Sequence, residues 1–173
     1  MEPFLDDQFI EEINLNIGIA HKVCAVYFAD ADERKDVFQD MMYQLCRSYP
    51  AFRGTSKFST WMYRVCLNTA LTSLRRSKRS ISEPITHEHQ QIVEERDTHQ
   101  EENMKQLLEA IEKLSPVNKA IILLYLEDLR YEEIAHITGL TKSNVSVRLV
   151  RIKRELEKRI GQHSDTSKET NHG

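Results

Sequence analysis

Five glycines and four prolines are all that the 173 residues contain, too few turn-formers for a protein of many short strands and tight hairpins. Long helices with short connections follow. Cysteine is scarce too. Cys24, Cys46 and Cys66 are odd in number, far apart and without a CxxC pair, which argues against a disulfide framework or a zinc knuckle and for a reduced, cytoplasmic setting. No run of 18 apolar residues occurs, and the N-terminal MEPFLDDQFIEE opens acidic, with no basic flank before an apolar stretch. Neither export nor membrane contact is expected. Glycine-rich phosphate loops and nucleophile elbows are missing. The single histidine–carboxylate cluster, His87-Glu88-His89, lacks the i, i+4 spacing that sets two ligands on one helical face. No metal, cofactor or catalytic residue is therefore expected, and the chain is not read as an enzyme.

What the chain has in quantity is charge, and the charge is segregated. The net value of −3 is unpromising for a nucleic-acid binder, since neutralising phosphates takes Lys and Arg. That average hides two basic blocks. Residues 1–52 carry 10 acidic and 4 basic side chains, and residues 53–80 carry 7 basic and none acidic. Residues 81–115 return to 9 acidic against 3 basic, and residues 141–160 hold 7 basic against 2 acidic.

Hydrophobic periodicity gives an all-α fold: two small helical domains joined by a flexible acidic linker, the second containing a helix-turn-helix. From Asp7 to Phe28, Phe9, Ile10, Ile13, Ile17, Ala20, Val23, Cys24 and Tyr27 recur at helical spacing. Asp32 is expected to cap a second helix over 33–48, lined by Val37, Met41, Leu45 and Tyr49 and stopped by Pro50. After a basic loop, Ser59 or Thr60 is expected to cap a third helix with Tyr63, Cys66, Leu67, Ala70, Leu71 and Leu74 inward. Residues 1–79 form the first domain on this reading. The polar, acidic stretch 80–100 is the linker, residues 101–160 the second domain, and residues 161–173 a disordered tail. Met104, Leu107, Leu108, Ile111 and Leu114 restore the helical period, and Ser115-Pro116 is a cap followed by proline at the first helical position.

Residues 131–158 carry the sharpest local signal: a short helix with Ile134, Ala135 and Ile137, then Gly139, an N-cap Thr141 and a long helix, the layout of a helix-turn-helix. On the long helix Val145, Leu149, Ile152 and Leu156 form one inward stripe. Lys142, Ser143, Asn144, Ser146, Val147, Arg148 and Arg151 are left for DNA, with Arg148 and Arg151 the strongest candidates.

The run Phe52-Arg53-Gly54-x-Ser56-x-Phe58-x-Thr60-Trp61-Met62-Tyr63-Arg64-Val65-x-x-Asn68-Thr69-Ala70 resembles region two of the extracytoplasmic-function sigma factors of bacterial RNA polymerase. Asp36-Val37-Phe38-Gln39-Asp40 stands where that family has its acidic polymerase-binding helix. Tyr131-Glu132-Glu133-Ile134-Ala135 through Arg154 resembles its region four. The resemblance implies a protein that binds core RNA polymerase through Asp36, Gln39 and Asp40, recognises two promoter elements and helps to melt DNA. By the same resemblance the loop from Arg53 to Phe58, including Ser56 and Lys57, holds a flipped base of the minus-ten element, and Asn68 contacts that element. Arg64, Arg75 and Arg76 hold phosphates. Trp61 stays open between a core role and a base-facing one, and Tyr63 reads as core.

Ser146, Val147, Val150 and Arg151 align with positions that read the minus-35 element, and Arg148 with a phosphate contact. The residues at Ser146, Val147 and Val150 depart from the family's common basic, polar or aromatic choices. The acidic linker is either a spacer or a mimic of nucleic acid, and an anti-sigma factor is a further family expectation. A dimeric repressor, which would leave residues 52–79 unexplained, and a helical adaptor that binds protein alone are the rival classes.

Overall fold

The computed structural model describes the backbone of residues 6–80 and 98–169 and the side chains of residues 6–78 and 102–161. Most of the expected linker, His87-Glu88-His89 and the last four residues lie outside it. Every regular element among the described residues is helical. The chain divides near residue 88 into two compact units, each with its own core.

The first unit packs α1 (Asp7–Tyr27), α2 (Ala31–Ser48) and α3 (Phe58–Ser80) together, with a single 3-10 turn, Tyr49–Ala51, after α2. Ala20, Val23 and Cys24 of α1 meet Val37, Met41 and Leu45 of α2 and Met62, Tyr63, Cys66, Leu67 and Ala70 of α3, all buried. Each fully buried side chain of Leu or Met size stabilises by about 1.5–3 kcal/mol. Leu71 and Leu74, expected to point inward, are half-buried. The cysteines are free thiols. Burial, with Cys24 nearby, pushes the Cys66 thiol up to about 12, so it behaves as a small core hydrophobe.

Two helix starts differ from expectation. The cap of α2 is Asp30, whose carboxylate accepts from Asp32 N–H at 3.0 Å and Glu33 N–H at 2.8 Å. Asp30 holds the extended backbone a cap requires, and Asp32 already lies within the first turn. Helix α3 begins at Phe58, with the Lys57 carbonyl accepting from Trp61 N–H at 3.1 Å. Ser59 and Thr60 therefore fall inside the helix, and Thr60 is buried.

The second unit contains α4 (Thr98–Glu112), α5 (Pro116–Leu126), α6 (Tyr131–Thr138) and α7 (Lys142–Glu169). Ser115 caps α5 by accepting from Asn118 N–H at 3.4 Å, with Pro116 following as expected. The core gathers Ile111, Leu114, Ile121, Leu124, Ile134 and Ile137 around Val145, Leu149, Ile152 and Leu156. Met104 and Leu108, counted with the α4 stripe in sequence, are exposed. Helix α7 runs nine residues past Ile160, into the segment expected to be a disordered tail. Extending a helix that is already nucleated needs only one residue fixed per bond, so weak helix formers can follow a strong core-anchored helix.

The turn between α6 and α7 depends on Gly139. It takes φ 73°, and Leu140 N–H returns to the Ala135 carbonyl at 3.1 Å, closing α6. A Cβ there would meet nothing within 4 Å, so substitution is penalised by backbone conformation alone. Gly139→Ala should lower the unfolding free energy of this unit by about 1–2 kcal/mol, read as earlier loss of helical circular dichroism in urea.

Candidate nucleic-acid interface

Helix α3 has two faces with different tasks. Its buried residues, Thr60, Met62, Tyr63, Cys66, Leu67 and Ala70, fix its rotation. Turned away from them are Lys57, Trp61, Arg64, Asn68, Thr72 and Arg75, which follow one another at steps of three or four residues from the start of the helix toward its end. Arg64, Asn68, Thr72, Arg75 and Arg76 are exposed, as are Arg53 and Lys57 in the preceding loop. No acidic side chain occurs between Arg53 and Ser80, so the positive charge of this face meets no carboxylate from its own segment.

Beneath the loop lies a cluster of five rings. Trp61 sits 5.0 Å from Phe52 and 5.2 Å from Phe58, and Tyr49 sits 4.2 Å from Phe9, with further contacts linking the two sets. Phe9 is buried, and the other four are half-buried. Phe58 and Trp61 are therefore packed and accessible at once, whereas Tyr63 is a core residue, 3% exposed. Gly54 takes φ 66° in the loop above, a conformation that glycine adopts without strain. Ser56 is half-buried, and its hydroxyl donates to the Lys57 carbonyl at 3.3 Å.

On α2, Asp36, Gln39 and Asp40 are all exposed, opposite Val37, Met41 and Leu45. Tyr43 joins them, 62% exposed and seven residues beyond Asp36. That spacing was available in the sequence, where only the acidic motif was read.

In the second unit the stripe Val145, Leu149, Ile152 and Leu156 is buried. Ser143, Val147, Val150 and Arg151 face outward, with Val147 50% and Val150 48% exposed. Arg154, absent from the sequence reading of DNA contacts, continues the same face. Asn144 is exposed, and its backbone N–H donates to the Thr141 cap at 3.2 Å. Ser146 and Arg148 lie on the flanks, half-buried. The Arg148 guanidinium donates to Asn144 Oδ1 at 3.3 Å and to Asn118 Oδ1 of α5 at 3.1 Å. Lys142 pairs with Glu132 of α6, and that hydrogen bond is the main cause holding the Glu132 carboxyl below its ordinary range. Lys153 turns back over the Tyr125 ring, 4.2 Å from its centre, and donates to its hydroxyl at 2.8 Å.

Residues 13–80 match the family described as Sigma-70 region 2, and residues 104–156 match Sigma-70, region 4. The chain is 30% identical over 146 residues to the ECF RNA polymerase sigma-E factor of Haemophilus influenzae, an alignment covering 77% of each chain. This chain belongs to the extracytoplasmic-function sigma factors. It is also 27% identical over 180 residues to the RNA polymerase sigma-H factor of Pseudomonas aeruginosa, covering 90% of this chain and 93% of that one. The sigma factor RpoE of Bartonella quintana, solved in complex with the anti-sigma factor NepR, shares the fold with a TM-score of 0.71 at 18% identity, over 90% of this chain and 98% of that one.

As a sigma factor the chain serves RNA polymerase in promoter recognition, and two surfaces rich in Arg and Lys accord with DNA as a partner. No described helix is long and apolar enough to cross a membrane.

The ring cluster makes Trp61 a structural support for the loop. Trp61→Ala should cost the first unit about 2–4 kcal/mol, and Trp61→Phe less than half of that, in urea unfolding followed by circular dichroism. A cost near zero for Trp61→Ala would mean that the rings contribute no packing.

Proposed function

We propose that this sigma factor divides promoter opening between its two units, residues 1–79 handling core polymerase and the minus-ten element and residues 101–160 the minus-35 element. The observation that carries the reading is the face of α3: cationic from Lys57 to Arg76, without a carboxylate, and set beside a half-exposed ring cluster. Capturing an unpaired strand needs such a combination of aromatic surface and positive track. In this reading Arg53, Ser56, Lys57 and Phe58 surround a flipped base. Trp61 supports them from below. Asn68, whose amide both donates and accepts, meets a base edge. Arg64, Arg75 and Arg76 hold the backbone.

Asp36, Gln39 and Asp40 dock core polymerase, with Tyr43 adding apolar area beside them. Helix α7 enters the major groove, where Arg151 donates to a base, Val147 and Val150 approach thymine methyl groups, and Ser146 lies at the groove edge. Lys142, Ser143 and Asn144 lie near the backbone at the helix N-terminus, and Arg148 holds a phosphate. The protein acts by binding alone, without metal, cofactor or catalytic residue, in the cytoplasm with its polymerase. The acidic segment 80–100 joins the units. Similarity to a sigma factor solved with an anti-sigma factor supports control by a partner of that kind.

Purified core polymerase should retain this chain through gel filtration and, with it, transcribe a discrete set of promoters. Reversing charge at Asp36 and Asp40 together should weaken that retention at least tenfold while circular dichroism stays unchanged. Core enzyme that transcribes no genomic template above background in the chain's presence would overturn the reading. For the upstream element, Arg151→Ala should cost about 1–3 kcal/mol of holoenzyme affinity and relax preference at one base pair. Equal affinities across single-base variants, before and after the substitution, would remove Arg151 from the reading surface.

A further inference from the structure

Among the described residues, Arg148 is the arginine of α7 whose guanidinium hydrogen-bonds to a second helix. Its Nη1 donates to Asn118 Oδ1 at 3.1 Å, across 30 residues of sequence, and its Nε donates to Asn144 Oδ1 at 3.3 Å. Asn118 is itself anchored. It stands in the first turn of α5, its backbone N–H donating to the Ser115 cap at 3.4 Å, while Lys119 N–H donates to the Ser115 carbonyl at 2.9 Å. The amide that meets Arg148 therefore projects from a capped, proline-started turn.

We propose that Asn118, outside the helix-turn-helix, is a positioning residue for duplex binding: with Asn144 it holds the Arg148 guanidinium ready for a phosphate. The proposal rests on the reading of Arg148 as a phosphate contact. A guanidinium carries five N–H donors, and the two amides occupy two of them, leaving three for an anion. Both partners are neutral, so the full positive charge stays available. A free arginine loses rotamer freedom when it grips a phosphate. One already held by its neighbours has lost that freedom on folding, and the binding step is relieved of it. A carboxylate at position 118 would fix the side chain equally well and cancel the charge that the phosphate needs.

The test measures affinity and its salt dependence for holoenzyme built from the full chain, on a promoter duplex recovered by selection from random DNA. Arg148→Ala should weaken binding and flatten the salt slope by about one unit. Asn118→Ala should weaken binding by about 3- to 10-fold with the salt slope unchanged. The Asn118→Ala, Arg148→Ala double variant should bind no more weakly than Arg148→Ala alone. Asn118→Gln, which keeps an amide acceptor, should recover most of the affinity, whereas Asn118→Asp should flatten the slope as Arg148→Ala does. This last pair decides the matter if Asn118→Ala fails to fold. Additive losses in the double variant, or full affinity in Asn118→Asp, would overturn the proposal while leaving Arg148 a DNA contact. If Arg148→Ala changes neither affinity nor slope, the phosphate reading of Arg148 falls and the positioning role falls with it.

Discussion

Burial of Val145, Leu149, Ile152 and Leu156 sets the rotation of α7, and what the second unit can present to a partner depends on that rotation. A helix turned by a single residue carries every side chain through about 100°. Arg151 and the two exposed valines would swing toward a flank, and Arg148 would leave Asn118. Gly139 and Thr141 fix where the helix starts, and the stripe fixes how it turns. Neither device works alone, because a start without a buried face leaves the helix free to roll, and a buried face without a defined start leaves its N-terminus frayed.

The first unit meets the same requirement differently. Helix α3 buries six residues over successive helical turns and leaves the opposite face almost wholly polar and basic. Like charges crowded on one face repel each other, so the unit carries this face at some cost in stability that its core must offset. The acids that could relieve it sit on α1, α2 and the segment after α3, outside the basic run itself. Segregation of charge along the chain thus becomes segregation over the surface, and a net charge of −3 coexists with a surface suited to an anion.

Much of this was legible in the sequence because it is periodic. The inward stripes of α2 and α7, the Ser115-Pro116 start and the Gly139 stop were all read from local spacing, and local spacing determines which face of a helix is apolar. Boundaries were less legible. Asp30 and Asp32 are both acceptable caps by residue type, and the choice between them rests on backbone dihedrals that sequence does not display. Met104 and Leu108 satisfy the period of α4 yet lie exposed, since a period cannot report how wide the facing surface is. The ring cluster and the Asn118–Arg148 bond join residues from different helices, and no pattern within one helix announces them. The DNA-facing side of α7 followed from its helical period, whereas the minus-ten roles on α3 and the polymerase-facing role of α2 came through resemblance to a family.

The contact between Phe52 and Phe58, ring centres 5.9 Å apart and nearly perpendicular, pins both ends of the loop between them. What it makes is a noose of fixed circumference. Five residues run out and back at roughly 3.3–3.6 Å each, so the tip can stand no more than about 10 Å from its base. A loop so short has little slack, and Gly54, at φ 66°, makes part of its reversal.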